Sequence, residues 1–428
     1  MAEHTAHIAY GKGRIPLNLD PRLAEWHVIT PKEVHALPDQ HAAFLRACRK
    51  PTGSRPLRDV VQSRDRVVIV TSDGTRPVPN RALIPWLLEE LPVPDEQVTV
   101  LIGSGSHRAN TPDEITEMFG EDSVRRVRIV NHDAYDPGRN VPVGQTESGE
   151  PAILDAEYVN ADKRIVIGFI EPHFFAGYSG GAKGVAPGVA SIDTICHLHS
   201  YDLIAHPQST WGVLDGNPVQ QTIQEMVALC PPDFLVNVTL NNDKAITGVF
   251  AGDYREAHRA GCAHVRTQAM APVAHEFPVV ITSNSGYPLD QNLYQSVKGM
   301  SAAARIVHPG GVIIMASECS DGIPSHGNFG TILHDAESLE DVDRRLRGLS
   351  APLLDQWQAQ VLVQIRLRCD VALYSTLDPV CVRDCKLEPV PDLERAVHAR
   401  VEALGAGAPV AVLPEGPLTI PYVADTAS

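Results

Sequence analysis

Four polar, glycine-containing segments of the sequence carry side chains that could bind a small anion and exchange protons with it. They are DGTRP (73–77), GSGSHR (103–108), EPHFFAGYSGGAKG (171–184) and NSGYPLDQNLYQSVKG (284–299). Histidine gains and loses a proton near neutral pH, and arginine and lysine bind carboxylate and phosphate groups. The candidate side chains in these segments are Asp73, Thr75, Arg76, His107, His173, Lys183, Gln295 and Lys298.

Each segment directly follows a short run of β-branched and apolar residues, which predicts a buried strand. The runs are RVVIV (66–70), QVTVLI (97–102), RIVIGFI (164–170) and FPVVITS (277–283), and GGVIIMAS (310–317) is a fifth. The helical sequence between these runs predicts parallel strands in a doubly wound α/β sheet. Ligands of such sheets bind outside the carboxyl ends of the strands, so we expect the four segments to form one shared site.

The length of 428 residues is sufficient for two or three domains. A helical stretch, YREAHRAGCAHVRTQ, is followed directly by MAPVAHEFP, which begins a new strand-led unit. We therefore predict two α/β domains with parallel-rich sheets, residues 1–270 and residues 271–428, the second of them Rossmann-like. The active site is expected in the cleft between these domains. Asn80 is expected to cap the helix that follows the first apolar run.

The charge and apolar content of the sequence disfavour nucleic acids and membranes as partners. The sequence has 36 Lys and Arg against 52 Asp and Glu, a formal net charge of −16, whereas a nucleic-acid-binding protein normally presents a basic face. No apolar run approaches the ~20 residues that cross a bilayer, and the N-terminus does not have the pattern of a secretory signal. The 8 cysteines include no CxxC pair. We expect a cytoplasmic protein with a small-molecule substrate and neither a nucleic-acid nor a membrane partner.

The glycine-rich segment around Lys183 matches neither of two common nucleotide-binding patterns. The ATP-binding loop requires Ser or Thr after its lysine, where this sequence has Gly184, and the glycine spacing also differs from G-x-G-x-x-G. Gly180 and Gly181 nevertheless allow the backbone to approach a ligand closely, and successive N–H groups can hold a phosphate. Lys183 could therefore contact a phosphate or serve as a point of covalent attachment.

Several histidines could take part in the site. In CHLHS (196–200), His197 and His199 are two residues apart, so at most one of them faces the site if the segment is helical. A histidine such as His107 could also be purely structural. His326 lies in a Gly-Pro-Ser loop and its role is undecided, and His258 is among the histidines outside these segments that are assigned no role.

Gln295 and Lys298 are three residues apart in a predicted helix and therefore share one face. An amide and an ammonium group on one face, opposite Arg76, could form a clamp for a carboxylate.

The polar segments, together with HLHS (197–200) and DQW (355–357), resemble those of the nickel-dependent lactate racemases. The matching segments occur in the same order along nearly the whole chain, and the HFFAGYSGGAK and GYPLDQN blocks are highly specific. The resemblance implies two α/β domains with the active site between them. It also implies a nickel-pincer nucleotide, in which nickel is bound to a pyridinium-3-thioamide-5-thiocarboxylate mononucleotide, and partner enzymes that make this cofactor.

The resemblance also assigns roles to individual residues. It implies that Lys183 forms a covalent thioamide link to the cofactor, that His199 ligates nickel, and that His107 and His173 are the paired acid–base residues. It further implies that Asp73 orients Arg76. The cofactor contacts implied besides Lys183 are Asp73, Thr75, Arg76, Gly180 and Gly181, and the substrate contacts implied are Arg76, Tyr294, Gln295, Lys298 and Trp357.

The implied activity is racemisation or epimerisation of a 2-hydroxy acid, lactate or a larger analogue, by reversible hydride transfer. Loss of hydride gives a planar 2-keto acid, and inversion requires its return to the other face while a base holds the hydroxyl proton in either orientation. Two histidines meet that requirement. Gly74 stands where the lactate enzymes often carry a histidine, and Ala182 and Gly184 flank Lys183 with smaller groups than some relatives have. The small flanking residues favour a roomier pocket. A net oxidoreductase or transhydrogenase with the same cofactor, and a non-catalytic cofactor-binding relative, remain as alternatives.

Overall fold

The structure is a computed structural model that describes residues 4–324 and 327–424; His326 lies outside the described residues. The chain divides into two compact units. The central unit, named for its place in the sequence, comprises Glu33–His199 and Gln208–Thr267. The terminal unit comprises Met1–Lys32, Ser200–Pro207 and Gln268–Ser428. Each unit contains helices and a six-stranded, parallel-rich sheet, which confirms the predicted α/β class.

The secondary structure of the described residues alternates between strands and helices. The strands are β1 (Thr5–Tyr10), β2 (Gly13–Asn18), β3 (Ala24–Val28), β4 (Val67–Ser72), β5 (Val98–Gly103), β6 (Arg128–Asn131), β7 (Asn140–Gln145), β8 (Pro151–Asp155), β9 (Lys163–Phe169), β10 (Pro172–His173), β11 (Gly177–Tyr178), β12 (Phe234–Leu240), β13 (Ile246–Gly252), β14 (Met270–Val273), β15 (Phe277–Ser283), β16 (Val307–Ala316), β17 (Asp370–Tyr374), β18 (Glu388–Val390), β19 (Ala408–Leu413) and β20 (Ile420–Val423). The α-helices are α1 (Gln40–Arg49), α2 (Leu57–Val60), α3 (Asn80–Glu90), α4 (Pro112–Arg126), α5 (Ala156–Val159), α6 (Ile192–Leu198), α7 (Tyr201–Ala205), α8 (Pro218–Ala228), α9 (Glu256–Ala269), α10 (Leu293–Ala303), α11 (Phe329–His334), α12 (Leu339–Arg347), α13 (Gln356–Arg368), α14 (Pro379–Asp384) and α15 (Leu393–Leu404).

The sheet of the central unit has the strand order β13-β12-β9-β4-β5-β6. All neighbouring strands in it are parallel except β12 and β13, which form an antiparallel hairpin. Strands β4, β5 and β9 lie where the apolar runs predict, since continuous apolar sequence suits strands that are covered on both faces. The chain places β5 and β6 on one side of β4, and β9 and β12 on the other. The connections that follow β4 and β9 therefore lead to opposite sides of the sheet, and this leaves a crevice at the carboxyl ends of these two strands. Ligands of such sheets bind in that crevice.

The sheet of the terminal unit is entirely parallel, with the order β18-β17-β16-β15-β19-β3. Its edge strand β3 comes from the N-terminal part of the chain and pairs with β19, with Ala24 opposite Ala408. Because of this pairing Met1–Lys32 belongs to the terminal unit, whereas the prediction placed it in a domain of residues 1–270. The segment Ser200–Pro207 is a second departure from that boundary.

Asn80 does not cap a helix as expected from the sequence. It is the first residue of α3, which has no side-chain cap, and its Oδ1 accepts a hydrogen bond from Thr71 Oγ1 at 2.7 Å. The side chain of Asn292 does cap α10, where it accepts a hydrogen bond from the backbone N–H of Gln295 at 3.0 Å. This cap fixes the start of the helix that carries Gln295.

Candidate active site

Three of the predicted site residues gather around the ring of Phe175 in the central unit. The ring centroids of His173 and His199 lie 4.6 and 5.3 Å from that of Phe175, and both rings meet it edge-on. The Nζ atom of Lys183 lies 5.8 Å from the same centroid. The short β10–β11 hairpin after β9 turns the chain back on itself. One buried phenyl ring thus brings together two imidazoles and an amine.

A second group forms where β4 and β5 end. The Nδ1 atom of His107 lies 2.8 Å from Oδ2 of Asp73, and Oδ1 of Asp73 accepts a hydrogen bond from Thr75 Oγ1 at 2.6 Å. Burial by itself raises the pKa of Asp73, but its hydrogen bonds to His107 and Thr75 and the nearby charge of Arg76 lower it overall. Asp73 is therefore a carboxylate near neutral pH, and its Oδ2 accepts a hydrogen bond from the Nδ1–H of His107.

Arg76 hydrogen-bonds to Thr75 and not to Asp73. Its Nη1 donates to Thr75 Oγ1 at 3.2 Å. The implied orientation of Arg76 by Asp73 is thus indirect, through Thr75, while the direct partner of Asp73 is His107.

The two groups are joined by the backbone that surrounds them. The N–H of Gly105, in the loop that carries His107, donates to the carbonyl of Gly188 at 2.9 Å, just after the Lys183 segment. The charge of Arg76 also acts on Lys183. The loops after β4, β5 and β9 therefore bring Arg76, His107 and Lys183 into one region of the central unit.

Lys183 is an unusual lysine. Burial, with a smaller contribution from the positive charge of Arg76, lowers the pKa of its amine to about 7. A substantial fraction of this amine is neutral at physiological pH, and a neutral amine is a nucleophile that can form a covalent bond to a ligand.

Gly180 and Gly181 are needed for packing against side chains of the protein. Both have positive φ, +76° and +58°. A Cβ on Gly180 would lie 2.6 Å from Oδ1 of Asn237, and one on Gly181 would lie 2.5 Å from Cγ of His258. The N–H of Gly181 donates to Asn237 Oδ1 at 2.7 Å. The N–H of Gly181 is therefore already used within the protein, unlike the phosphate-binding N–H that the sequence led us to expect.

His258, to which the sequence assigned no role, is hydrogen-bonded to the segment that carries Lys183. Its Nε2 donates to the carbonyl of Ser179 at 2.8 Å, and burial lowers the pKa of the ring to about 4. Asn237, on β12, and His258, on α9, are far from Lys183 in the sequence, and no local pattern marks either of them.

His199, at the end of α6, is the buried member of the pair of histidines in CHLHS. Its Nδ1 lies 2.7 Å from the carbonyl oxygen of Ile195, to which it donates. Burial lowers the pKa of the ring to about 4, so the ring is neutral and its lone pair lies on Nε2. His197 lies beside Glu150, with Nδ1 3.2 Å from Oε2. Within residues 4–324 and 327–424, no group of three or more His, Cys, Asp and Glu side chains is arranged to hold a metal ion.

The other predicted site residues cluster in the terminal unit, near the starts of α10 and α13. Trp357 Nε1 donates to the hydroxyl of Tyr294 at 3.0 Å, and that hydroxyl lies 3.1 Å from Oδ1 of Asp355. Lys298 Nζ donates to Oε1 of Gln295 at 2.9 Å, as expected for residues on one helix face. These contacts orient an amide, an ammonium group and two aromatic rings.

Two family profiles match the chain: the lactate racemase N-terminal domain over residues 10–212 and the lactate racemase C-terminal domain over residues 273–420. The chain belongs to the lactate racemase family. The lactate racemase of Thermoanaerobacterium thermosaccharolyticum is 37% identical over 376 residues, which are 87% of this chain and 88% of that protein. The lactate racemase of Lactiplantibacillus plantarum is 37% identical over 374 residues, 86% of this chain and 87% of that protein. As a member of this family the chain is a racemase.

A solved structure agrees with this membership. The lactate racemase apoprotein from Thermoanaerobacterium thermosaccharolyticum superposes with a TM-score of 0.90 at 33% identity, covering 97% of this chain and 99% of that one. A protein from Thermotoga maritima shares the fold at a TM-score of 0.66 and 16% identity, over 92% of this chain and 100% of that one. No helix within the described part of this racemase is long and apolar enough to cross a membrane.

Proposed function

We propose that this racemase interconverts the enantiomers or epimers of a 2-hydroxy acid, lactate or a larger analogue, by reversible hydride transfer with a nickel-pincer nucleotide attached to Lys183. The observation that carries the proposal is the arrangement of His173, Lys183 and His199 around Phe175, in the same unit as the Asp73–His107 pair. A partly buried amine of lowered pKa, one neutral imidazole and two further histidines are what such a reaction requires of the protein.

The residues present fit this cofactor. Lys183 supplies an amine of lowered pKa for covalent attachment, and His199 supplies an Nε2 lone pair. A histidine that binds a metal usually donates its other N–H to a carbonyl or carboxylate, as His199 does to Ile195. When bound, the cofactor would supply an electrophilic metallated ring that accepts and returns a hydride.

The protein itself would handle the hydroxyl proton and the carboxylate. His107, held by Asp73, and His173 are the proposed acid–base residues, and they exchange the proton of the substrate hydroxyl as the hydroxyl and ketone forms interconvert. Arg76, Gln295 and Lys298 are the proposed ligands of carboxylate or phosphate groups. Tyr294 and Trp357 are proposed to complete the substrate contacts, and Thr75 and Gly180 those of the cofactor. Gly181 is proposed to lie beside the cofactor without donating to it, because its N–H is bonded to Asn237.

Two further features belong to this proposal. The cofactor must be made by other enzymes, which are the expected loading partners. We also propose a cytoplasmic location, because all eight cysteines are free thiols, as is usual in a reducing compartment.

The proposal is tested by producing the protein in a host that makes the cofactor and following the optical activity of pure D- and L-2-hydroxy acids. We expect loss of optical rotation with lactate or a larger acid, and an intact-mass adduct that Lys183→Ala removes while Lys50→Ala, a change at an exposed lysine, retains. No interconversion of any acid by fully loaded protein would refute the racemase proposal. Accumulation of one keto acid per hydroxy acid consumed would indicate a net oxidoreductase instead.

A further inference from the structure

The two proposed acid–base histidines make different hydrogen bonds through Nδ1. In His107, Nδ1 lies 2.8 Å from Oδ2 of Asp73. Because Asp73 is ionised, its oxygen can only accept, and Nδ1 of His107 must carry the proton. The neutral ring of His107 therefore has its lone pair on Nε2.

His173 is in the opposite situation. Its Nδ1 accepts a hydrogen bond from the backbone N–H of Ala176 at 3.2 Å. A backbone N–H can only donate, so Nδ1 of His173 carries the lone pair, and the proton of the neutral ring lies on Nε2. Protonation of Nδ1 would place two hydrogens against each other and would require the Ala176 N–H to turn away.

Two buried side chains of α8 and its N-terminal cap hold the Ala176 N–H in place. Gln220 Nε2 donates to the carbonyl of Ala176 at 2.7 Å, and Asn217 Nδ2 donates to the carbonyl of Phe175 at 2.9 Å. Asn217 is fully buried and Gln220 is 4% exposed. Buried polar groups that are hydrogen-bonded resist rearrangement, because breaking these bonds leaves donors and acceptors unsatisfied.

We infer that His107 and His173 rest in opposite tautomers, and that Gln220 is a positioning residue that fixes the tautomer of His173 through Ala176. Combined with the proposed function, on which this consequence rests, His107 Nε2 accepts the hydroxyl proton in the resting enzyme. Nε2 of His173 already carries a proton and cannot accept one. For His173 to take up the proton instead, the turn from His173 to Ala176 must first release its N–H.

The inference is tested on the protein without cofactor, so its outcome does not depend on activity. Protein labelled with ¹⁵N-histidine is studied by NMR about two pH units above the ordinary histidine pKa of about 6.5, with His107→Gln and His173→Gln used to assign the two rings. We expect the unprotonated nitrogen to be Nε2 in His107 and Nδ1 in His173. The same tautomer in both rings would overturn the inference, whether or not the loaded enzyme proves to be a racemase.

The role of Gln220 is tested with a matched pair of variants. Gln221 neighbours it in the sequence but is exposed, so Gln221→Met is the control for Gln220→Met. We expect Gln220→Met alone to move the nitrogen shifts of His173 towards a mixture of tautomers, while those of His107 stay unchanged. Equal His173 shifts in both variants would refute the role of Gln220. If Gln220→Met does not fold, the wild-type spectrum still decides the tautomers, and Gln220→Glu, which keeps the length of the side chain, replaces it.

Discussion

Asn237 is expected to hold the segment that carries Lys183, and Asn237→Ala tests this. Its side chain is fully buried, and its Oδ1 accepts the N–H of Gly181 at 2.7 Å while its Nδ2 donates to the carbonyl of Val236 at 3.2 Å. Alanine removes both bonds and leaves the Gly181 N–H without an acceptor. The segment also loses its packing contact with the Asn237 side chain, which lies so close to Gly180 that a Cβ there would be 2.6 Å from Oδ1.

The expected cost follows from these contacts. A buried N–H without an acceptor costs about 1–3 kcal/mol, and the space left by the amide adds about 1 kcal/mol. Local opening of the segment should therefore become easier by about 2–4 kcal/mol. Since each 1.4 kcal/mol is a tenfold change in an equilibrium constant, opening should become about 30-fold to several hundred-fold more frequent.

Hydrogen exchange followed by mass spectrometry measures this opening on peptides that cover residues 171–184. The control is Asn242→Ala, a change at an exposed asparagine in the turn between β12 and β13. We expect exchange of the segment to accelerate in Asn237→Ala alone, with peptides from β4 and β5 unchanged. If the segment exchanged at the same rate in both variants, Asn237 could not be what holds it, and the reasoning from the Gly181 hydrogen bond would be refuted.

Two further predictions concern Asp73 and Glu90. Asp73→Asn places an amide against His107 and favours its wrong tautomer, so kcat per loaded enzyme should fall about 10²–10⁴-fold, with loading measured by intact mass. An unchanged kcat per loaded enzyme would contradict the role of the pair. Burial alone raises the pKa of Glu90, but hydrogen bonds from Arg49 and Arg58, at 2.6 and 3.0 Å, lower it overall. The stabilisation is therefore full above the unfolded pKa of about 4.3 and is lost as the pH falls through the lower folded value. Urea unfolding should show Glu90→Gln less stable by about 1–3 kcal/mol at pH 7 and closer to wild type in acid; a constant difference at every pH would contradict this.

Strands β4, β5 and β9 of the central unit were predictable because each is a continuous apolar run followed by a polar segment. Strand β3 was not, since AEWHV (24–28) has no such run and its partner β19 lies at the other end of the chain. Long-range pairing of this kind leaves no local signal, which explains why the predicted domain of residues 1–270 included a segment that belongs to the terminal unit. Asn80 shows a related limit. Its residue type suits a helix cap, but its side chain accepts a hydrogen bond from Thr71 on β4 instead.

The same distinction applies to the site. His107, His173, Lys183 and His199 stand in distinctive segments, and the sequence could single them out. Three of these residues gather around Phe175, which the sequence did not single out. Adjacent phenylalanines such as Phe174 and Phe175 are typical of a hydrophobic core and indicate no functional role. Asn237, His258 and Gln220 support the loop from distant elements, and only the folded chain brings them to it.

Reversible hydride transfer requires that the hydrogen on C2 of the substrate leaves with its electron pair and returns without exchanging with water. The most direct measurement is inversion of an unlabelled, enantiopure 2-hydroxy acid by the loaded enzyme in D₂O, with deuterium at C2 of the product read by NMR and mass spectrometry. With hydride transfer we expect an inverted product that keeps its original hydrogen and contains no solvent deuterium at C2. One deuterium gained at C2 for every inversion would show that the hydrogen leaves as a proton, and would refute hydride transfer.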